Sequence, residues 1–244
     1  MTASPANVAV VTGASGGIGR AVVRALAGPQ TALCLSGRDE ARLEACAREV
    51  APGAARVLTH ASDIATDEGI RGLAERVESE LGRVDVLVHA AGELRLGDIE
   101  AAGWSDLDEQ YRVNLRAPFL LTKAQLPMLK RAKGQVVFVN SSAALAPGAE
   151  NGLYAATKSG LRTLASSVRD HVNGYGIRVL SVFPGRTASA MQKMVHDFER
   201  RRYQPSSLLQ PEDVAAAIAA ALALPRTAEV TEISVRPMKK PSGD

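Results

Sequence analysis

A chain of 244 residues is long enough for one domain with a sizeable apolar core, which excludes a peptide hormone and a multidomain machine. Hydrophobic residues make up 46% and charged residues 23%, close to the globular average, which argues against both intrinsic disorder and a membrane-embedded bundle. The net charge of +3 is spread along the chain and aromatic residues are only 4%, so no basic stripe with interleaved aromatics marks a nucleic-acid partner.

Two cysteines, Cys34 and Cys46, make neither a disulfide framework nor a metal-ligand pattern; both fall in packing positions, and the cytoplasm is the expected compartment. The opening MTASPANVAVVTG lacks a basic start and a long apolar stretch, so no signal peptide is expected. Val214 to Leu224, the longest apolar run, is 11 residues, short of the ~18 to 20 that cross a bilayer.

Short continuous apolar runs predict strands buried on both faces at Val8 to Thr12, Thr31 to Ser36, Arg56 to Thr59, Val84 to His89, Gln135 to Asn140, Arg178 to Phe183 and Val230 to Val235. Apolar residues at three-and-four spacing predict helices over Ile18 to Leu26, Arg42 to Val50, Ile70 to Leu81, Ala117 to Leu129, Leu153 to Val172 and Val214 to Leu224. Strand alternating with helix implies an α/β fold, a Rossmann-like doubly wound parallel sheet of about seven strands with helices on both faces. No linker interrupts it, so residues 1–244 are expected to be a single domain. Between about residues 186 and 210 charge and Pro205, Ser206 and Ser207 break the pattern, and a mobile segment is expected there.

The first strand runs into TGASGGIG and then a helix. In such a turn Gly13 permits the tight bend, Gly17 lets the main chain approach a pyrophosphate, and Gly19 lets helix pack on strand. The helix amino terminus offers the phosphates unpaired amides and the positive end of its dipole. About 20 residues on, at the end of the second strand, an acidic residue would bind the ribose hydroxyls of NAD, but Gly37 and Arg38 stand there. Arg38 offers a guanidinium fork suited to the extra phosphate of NADP, and Ser15 adds a hydroxyl donor. NADP is therefore expected in preference to NAD. Asp39 is read as the cap of the next helix, although its carboxylate keeps NAD open.

Tyr154 and Lys158, four apart in YAATK on a predicted helix, share one face. An ammonium ~4 Å from a phenol stabilises the phenolate by up to ~4 kcal/mol at an effective dielectric of 20. That would lower the tyrosine pKa by up to ~3 units and let it exchange a proton near neutrality.

From about residue 7 to residue 191 these motifs together resemble the short-chain dehydrogenase/reductase family. TGASGGIG resembles its cofactor turn, which adds Ile18 to the cofactor contacts, and Asp63 in ASDI resembles its adenine-contacting aspartate, with Ile64 beside it as a further cofactor contact. Asn114 in RVNL, Ser141 in VNSS, and Tyr154 with Lys158 resemble its catalytic residues; PGRTAS resembles its turn beneath the nicotinamide, with Pro184, Gly185, Thr187 and Ser189 as cofactor contacts. Ser141 lies 13 residues before Tyr154, with Ser142 as the fallback. The resemblance implies that Tyr154 exchanges a proton with a carbonyl or alcohol oxygen while nicotinamide exchanges a hydride with its carbon. Lys158 would lower the tyrosine pKa and hold the nicotinamide ribose, Ser141 would bond the substrate oxygen, and Asn114 would support a water.

Two departures stand out. Where the family has Asn-Asn-Ala-Gly this chain has His89, Ala90, Ala91 and Gly92; Ala91 and Gly92 remain as cofactor contacts, while the side-chain bond that steadies the neighbouring strand is either supplied by His89 or lost. The chain ends in TEISVRPMKKPSGD in place of the glycine-rich ending of tetrameric members, so a homodimer through the helices starting near residues 117 and 153 stands beside a homotetramer. The expected activity is NADP(H)-dependent oxidoreduction of a small-molecule carbonyl or secondary alcohol. An NAD(H)-dependent alcohol dehydrogenase of the same family and a non-catalytic NADP-sensing regulator are the alternatives. Met191, Met194, Val195 and Phe198, at helical spacing, form either an apolar lid over the substrate or an ordinary core-facing helix.

Overall fold

The structure, a computed structural model, describes residues 5–238. Seven parallel strands form one sheet: β1 (Asn7–Thr12), β2 (Thr31–Gly37), β3 (Arg56–Ala61), β4 (Val86–His89), β5 (Gln135–Val139), β6 (Arg178–Pro184) and β7 (Glu232–Val235), in the order β3-β2-β1-β4-β5-β6-β7. The order reverses between β1 and β4, so the chain leaves the sheet in opposite directions from these neighbours and opens a crevice at their carboxyl ends.

The helices are α1 (Gly17–Leu26), α2 (Glu40–Val50), α3 (Asp67–Leu81), α4 (Trp104–Tyr111), α5 (Ala117–Ala132), α6 (Gly152–Val172), α7 (Ala190–Phe198) and α8 (Pro211–Leu222). Alternation along the strands divides the core between two layers. Ala9 and Val11 of β1, Leu33 and Leu35 of β2, and Val137 and Val139 of β5 face Val22 of α1, Leu43 of α2 and Ile218 of α8. Val10, Cys34 and Phe138 point the other way, against Leu73 of α3, Leu121 of α5 and Leu161 of α6. Both cysteines are buried as expected, and burial pushes the Cys34 thiol up to about 12, which leaves it unreactive.

Two of the strand expectations need correction. β3 and β7 each pair on one side only, and both are largely half-exposed; as sheet edges they lack the second cover that buries the central five. Helix α4 and the five-residue π turn that follows it, Arg112–Arg116, were not anticipated either. Gln110 is the one fully buried residue of α4, so the helix carries no apolar stripe for periodicity to detect. Residues 186–210 hold α7, capped by Ser189 and tied back by main-chain bonds from Ala188 N–H to Leu209 and from Leu209 N–H to Arg186.

Candidate active site

The glycine turn is tightly constrained. Gly13 has φ of +66°, and a Cβ there would stand 2.6 Å from the Ala91 nitrogen, so this position needs glycine for both conformation and space. A Cβ on Gly19 would stand 2.1 Å from the Gly13 carbonyl oxygen, which is why α1 can begin directly against the turn. At Gly17 a Cβ would meet Ser189 and Pro211, so this glycine also admits the segment that follows β6.

The turn forms the floor of a cleft of about 370 Å³ at the β1/β4 crevice. Of the residues expected to bind cofactor, Gly13, Ser15, Gly17, Ile18, Gly19, Arg38, Asp63, Ile64, Ala91, Gly92, Tyr154, Lys158 and Ser189 all line it. Pro184, Gly185 and Thr187 instead line an adjoining cleft of about 510 Å³, together with Ser141 and Ser142. Tyr154, Asn140, Ile18, Ser189 and Met191 border both. The hydroxyls of the PGRTAS turn are engaged locally: Thr187 donates to the Gly185 carbonyl at 3.0 Å, and Ser189 accepts from the Gln192 N–H at 3.1 Å as the cap of α7.

The residues of the first cleft fit a dinucleotide. The α1 amino terminus faces it without a side-chain cap, leaving amides for an anion. The buried hydroxyls of Ser36 and Ser62, at the ends of β2 and β3 on this cleft, have no hydrogen-bond partner and suit a polar adenosine. Sequence reasoning missed Arg42. Asp39 caps α2 as expected, accepting from the Arg42 N–H at 3.0 Å, and this sets the Arg42 side chain on the cleft rim, where it donates to the Ser15 carbonyl at 2.8 Å. The available signal was its place three residues after the cap, on the turn that starts α2.

Tyr154 and Lys158 lie one turn apart on α6, both buried. The lysine Nζ sits 5.8 Å from the centre of the tyrosine ring and donates to the Val139 carbonyl at 3.0 Å. The expected lowering of the phenol pKa is not what this geometry produces. Burial pushes the Tyr154 phenol above its ordinary 10, and a hydrogen bond from Ser141 pulls only partly the other way. The lysine itself is pushed down to about 8, because its charge is buried without a counter-ion. Ser141 also accepts from the Ala143 N–H at 3.1 Å, which fixes the hydroxyl beside the phenol.

Asn114 borders neither cleft. Its side chain is fully buried, donating to the Glu93 carbonyl at 2.8 Å and the Thr157 hydroxyl at 3.0 Å and accepting from the Glu93 N–H at 2.9 Å. It lies in the π turn, where main-chain bonds reach five residues on in place of four. His89 does not bond the neighbouring strand. Its Nε2 and the Thr122 hydroxyl of α5 are 2.8 Å apart, and the ring stacks on Phe138. Burial, reinforced by the Lys158 charge, pushes its pKa down to about 3, so the imidazole is neutral.

Helix α7 covers the second cleft with one face. Met191 and Val195 pack against Leu94, Ala143, Tyr154 and Ala155, whereas Met194 is exposed. Arg186 and Glu199 fasten the end of the helix through paired bonds of 2.7 and 2.5 Å.

Residues 7–200 match the family model for short chain dehydrogenases, and the chain belongs to that family of oxidoreductases. The chain is 34% identical over 240 residues to the glycine betaine reductase ATRR of Emericella nidulans; the match covers 96% of this chain and 19% of that protein. An alcohol dehydrogenase from the archaeon Thermococcus sibiricus, solved in complex with 5-hydroxy-NADP, is similar with TM-score 0.85 and 29% identity over 97% of this chain and 99% of that one. The L-sorbose reductase of Gluconobacter frateurii, complexed with NADPH and L-sorbose, is similar with TM-score 0.87 and 25% identity, covering 96% and 97%. No described helix is long and apolar enough to cross a membrane.

Proposed function

We propose that this protein is an NADP(H)-dependent oxidoreductase acting on a small-molecule carbonyl or secondary alcohol, with Tyr154 as proton donor and acceptor. The carrying observation is the convergence of Tyr154, Ser141 and Lys158 where the cleft floored by the glycine turn meets the second one. When bound, the nicotinamide supplies or accepts the hydride.

The rest of the work falls to the chain. With its pKa raised, the Tyr154 phenol keeps its proton at neutral pH and has it available for a carbonyl oxygen in the second cleft. Ser141 donates to that same oxygen as charge develops on it. Lys158, at about 8, is near enough to neutrality to return a proton to the tyrosine, and Asn114 supports a water on the way to solvent. Arg38 and Arg42 on the cleft rim supply two guanidinium groups for the 2′-phosphate, and the NADP and NADPH complexes of the two similar enzymes favour the same cofactor. The same proposal includes a homodimer through the outer faces of α5 and α6, or a homotetramer.

Side-by-side titration of the purified protein with NADPH and NADH, followed by nicotinamide fluorescence, tests the reading. We expect tighter NADPH binding, followed by NADPH oxidation in a screen of ketones and aldehydes. Equal or tighter NADH binding would refute the phosphate-reading role of Arg38.

A further inference from the structure

The cofactor cleft carries three carboxylates, and two of them are engaged with backbone: Asp39 caps α2, and Asp63 accepts from the Ala65 N–H at 3.0 Å. The third, Glu93, follows Gly92 early in the loop between β4 and α4. Its main chain is fixed in both directions by Asn114, so it has little freedom to withdraw from the cleft wall. The side chain is only 19% exposed, yet its carboxylate makes no close hydrogen bond. It stands 3.6 Å from the Arg38 guanidinium across the cleft and 3.5 Å from Arg95, which has a closer partner in Glu109 at 2.8 Å.

We infer that Glu93 is a specificity-determining residue that competes with the cofactor 2′-phosphate for Arg38 and so holds down the preference for NADPH over NADH. The inference rests on Arg38 being the phosphate reader. A dianion arriving at Arg38 must displace or share a carboxylate that its own backbone holds in place. NADH brings no phosphate, leaves the Arg38–Glu93 pair intact and meets no such competition. Arg38 is 70% exposed, so solvent screens the pair, and the effect is correspondingly modest at about two- to fivefold in affinity.

The test is fluorescence titration of NADPH and NADH on the full chain and on Glu93→Gln, Arg38→Gln and the double variant. Glutamine keeps the shape and the Asn114 bonds, which are to the Glu93 backbone, and thermal melts check that each variant is folded. Glu93→Gln is expected to tighten NADPH about two- to fivefold with NADH unchanged, and the gain is expected to vanish in the Arg38→Gln background. A selective loss of NADPH in Arg38→Gln without any gain in Glu93→Gln overturns the competition while leaving the phosphate reading standing. An equal response of both cofactors to Arg38→Gln overturns the phosphate reading, and the competition with it.

Discussion

Replacing Lys158 with methionine is expected to stabilise the protein while stopping turnover. The lysine is buried, its ammonium has a single hydrogen bond, to the Val139 carbonyl, and its pKa is pushed from 10.5 to about 8. Each pKa unit is about 1.36 kcal/mol, so keeping the charged form buried at neutral pH costs the fold about 3 kcal/mol. Methionine has a similar length and removes that cost, but it leaves the Val139 carbonyl without its donor, a loss of about 1 kcal/mol. The net gain is about 2 kcal/mol at pH 7, or about 4 to 8 °C in Tm for a chain of this size.

The pH dependence separates this cause from better packing. Between pH 8 and 10.5 the unfolded chain still binds the proton that the folded lysine has released, so the wild type gains stability as pH rises through that window. The advantage of Lys158→Met should therefore shrink by up to about 1.4 kcal/mol per pH unit across it. Paired urea unfolding curves at pH 7, 8, 9 and 10 measure this directly. A variant no more stable than wild type at pH 7, or an advantage that stays constant to pH 10, would refute the reasoning.

Tyr154→Phe removes the proton donor and little volume. Turnover is expected to fall by at least about a hundredfold with NADPH affinity almost unchanged, and undiminished steady-state rates would sink the assignment. Gly19→Ala places a Cβ 2.1 Å from the Gly13 carbonyl oxygen, so the turn must shift. A loss of about 1 to 3 kcal/mol in urea unfolding and weaker cofactor binding are expected together; a variant of normal stability would show that the turn is more yielding than its geometry implies.

Much of the fold was legible because the five central strands are covered by helices on both faces, and continuous apolar runs record that burial. The two edge strands record it poorly: Glu232 and Ser234 of β7 face outward, and only proximity to β6 makes this segment a strand. Helix α4 was invisible for a related reason, since a helix that buries one residue leaves no periodic trace. At the site, the motif residues are separated widely in the sequence, and their order alone was enough to expect the cofactor cleft. Arg42 was missed because it looks like an ordinary surface charge, and the approach of Glu93 to Arg38 appears only once the ends of β2 and β4 are brought to either side of β1.

What the sequence determined by itself was composition, alternation and short-range spacing: a parallel sheet, a glycine turn that only glycine can make, and a tyrosine and lysine on one helical face. Only the tertiary structure decided the electrostatics. Spacing suggests that Lys158 lowers the Tyr154 pKa, but burial raises the phenol and lowers the lysine instead. The reason is that charge–charge attraction can be guessed from two positions in a chain, whereas the desolvation that opposes it depends on every atom packed around them.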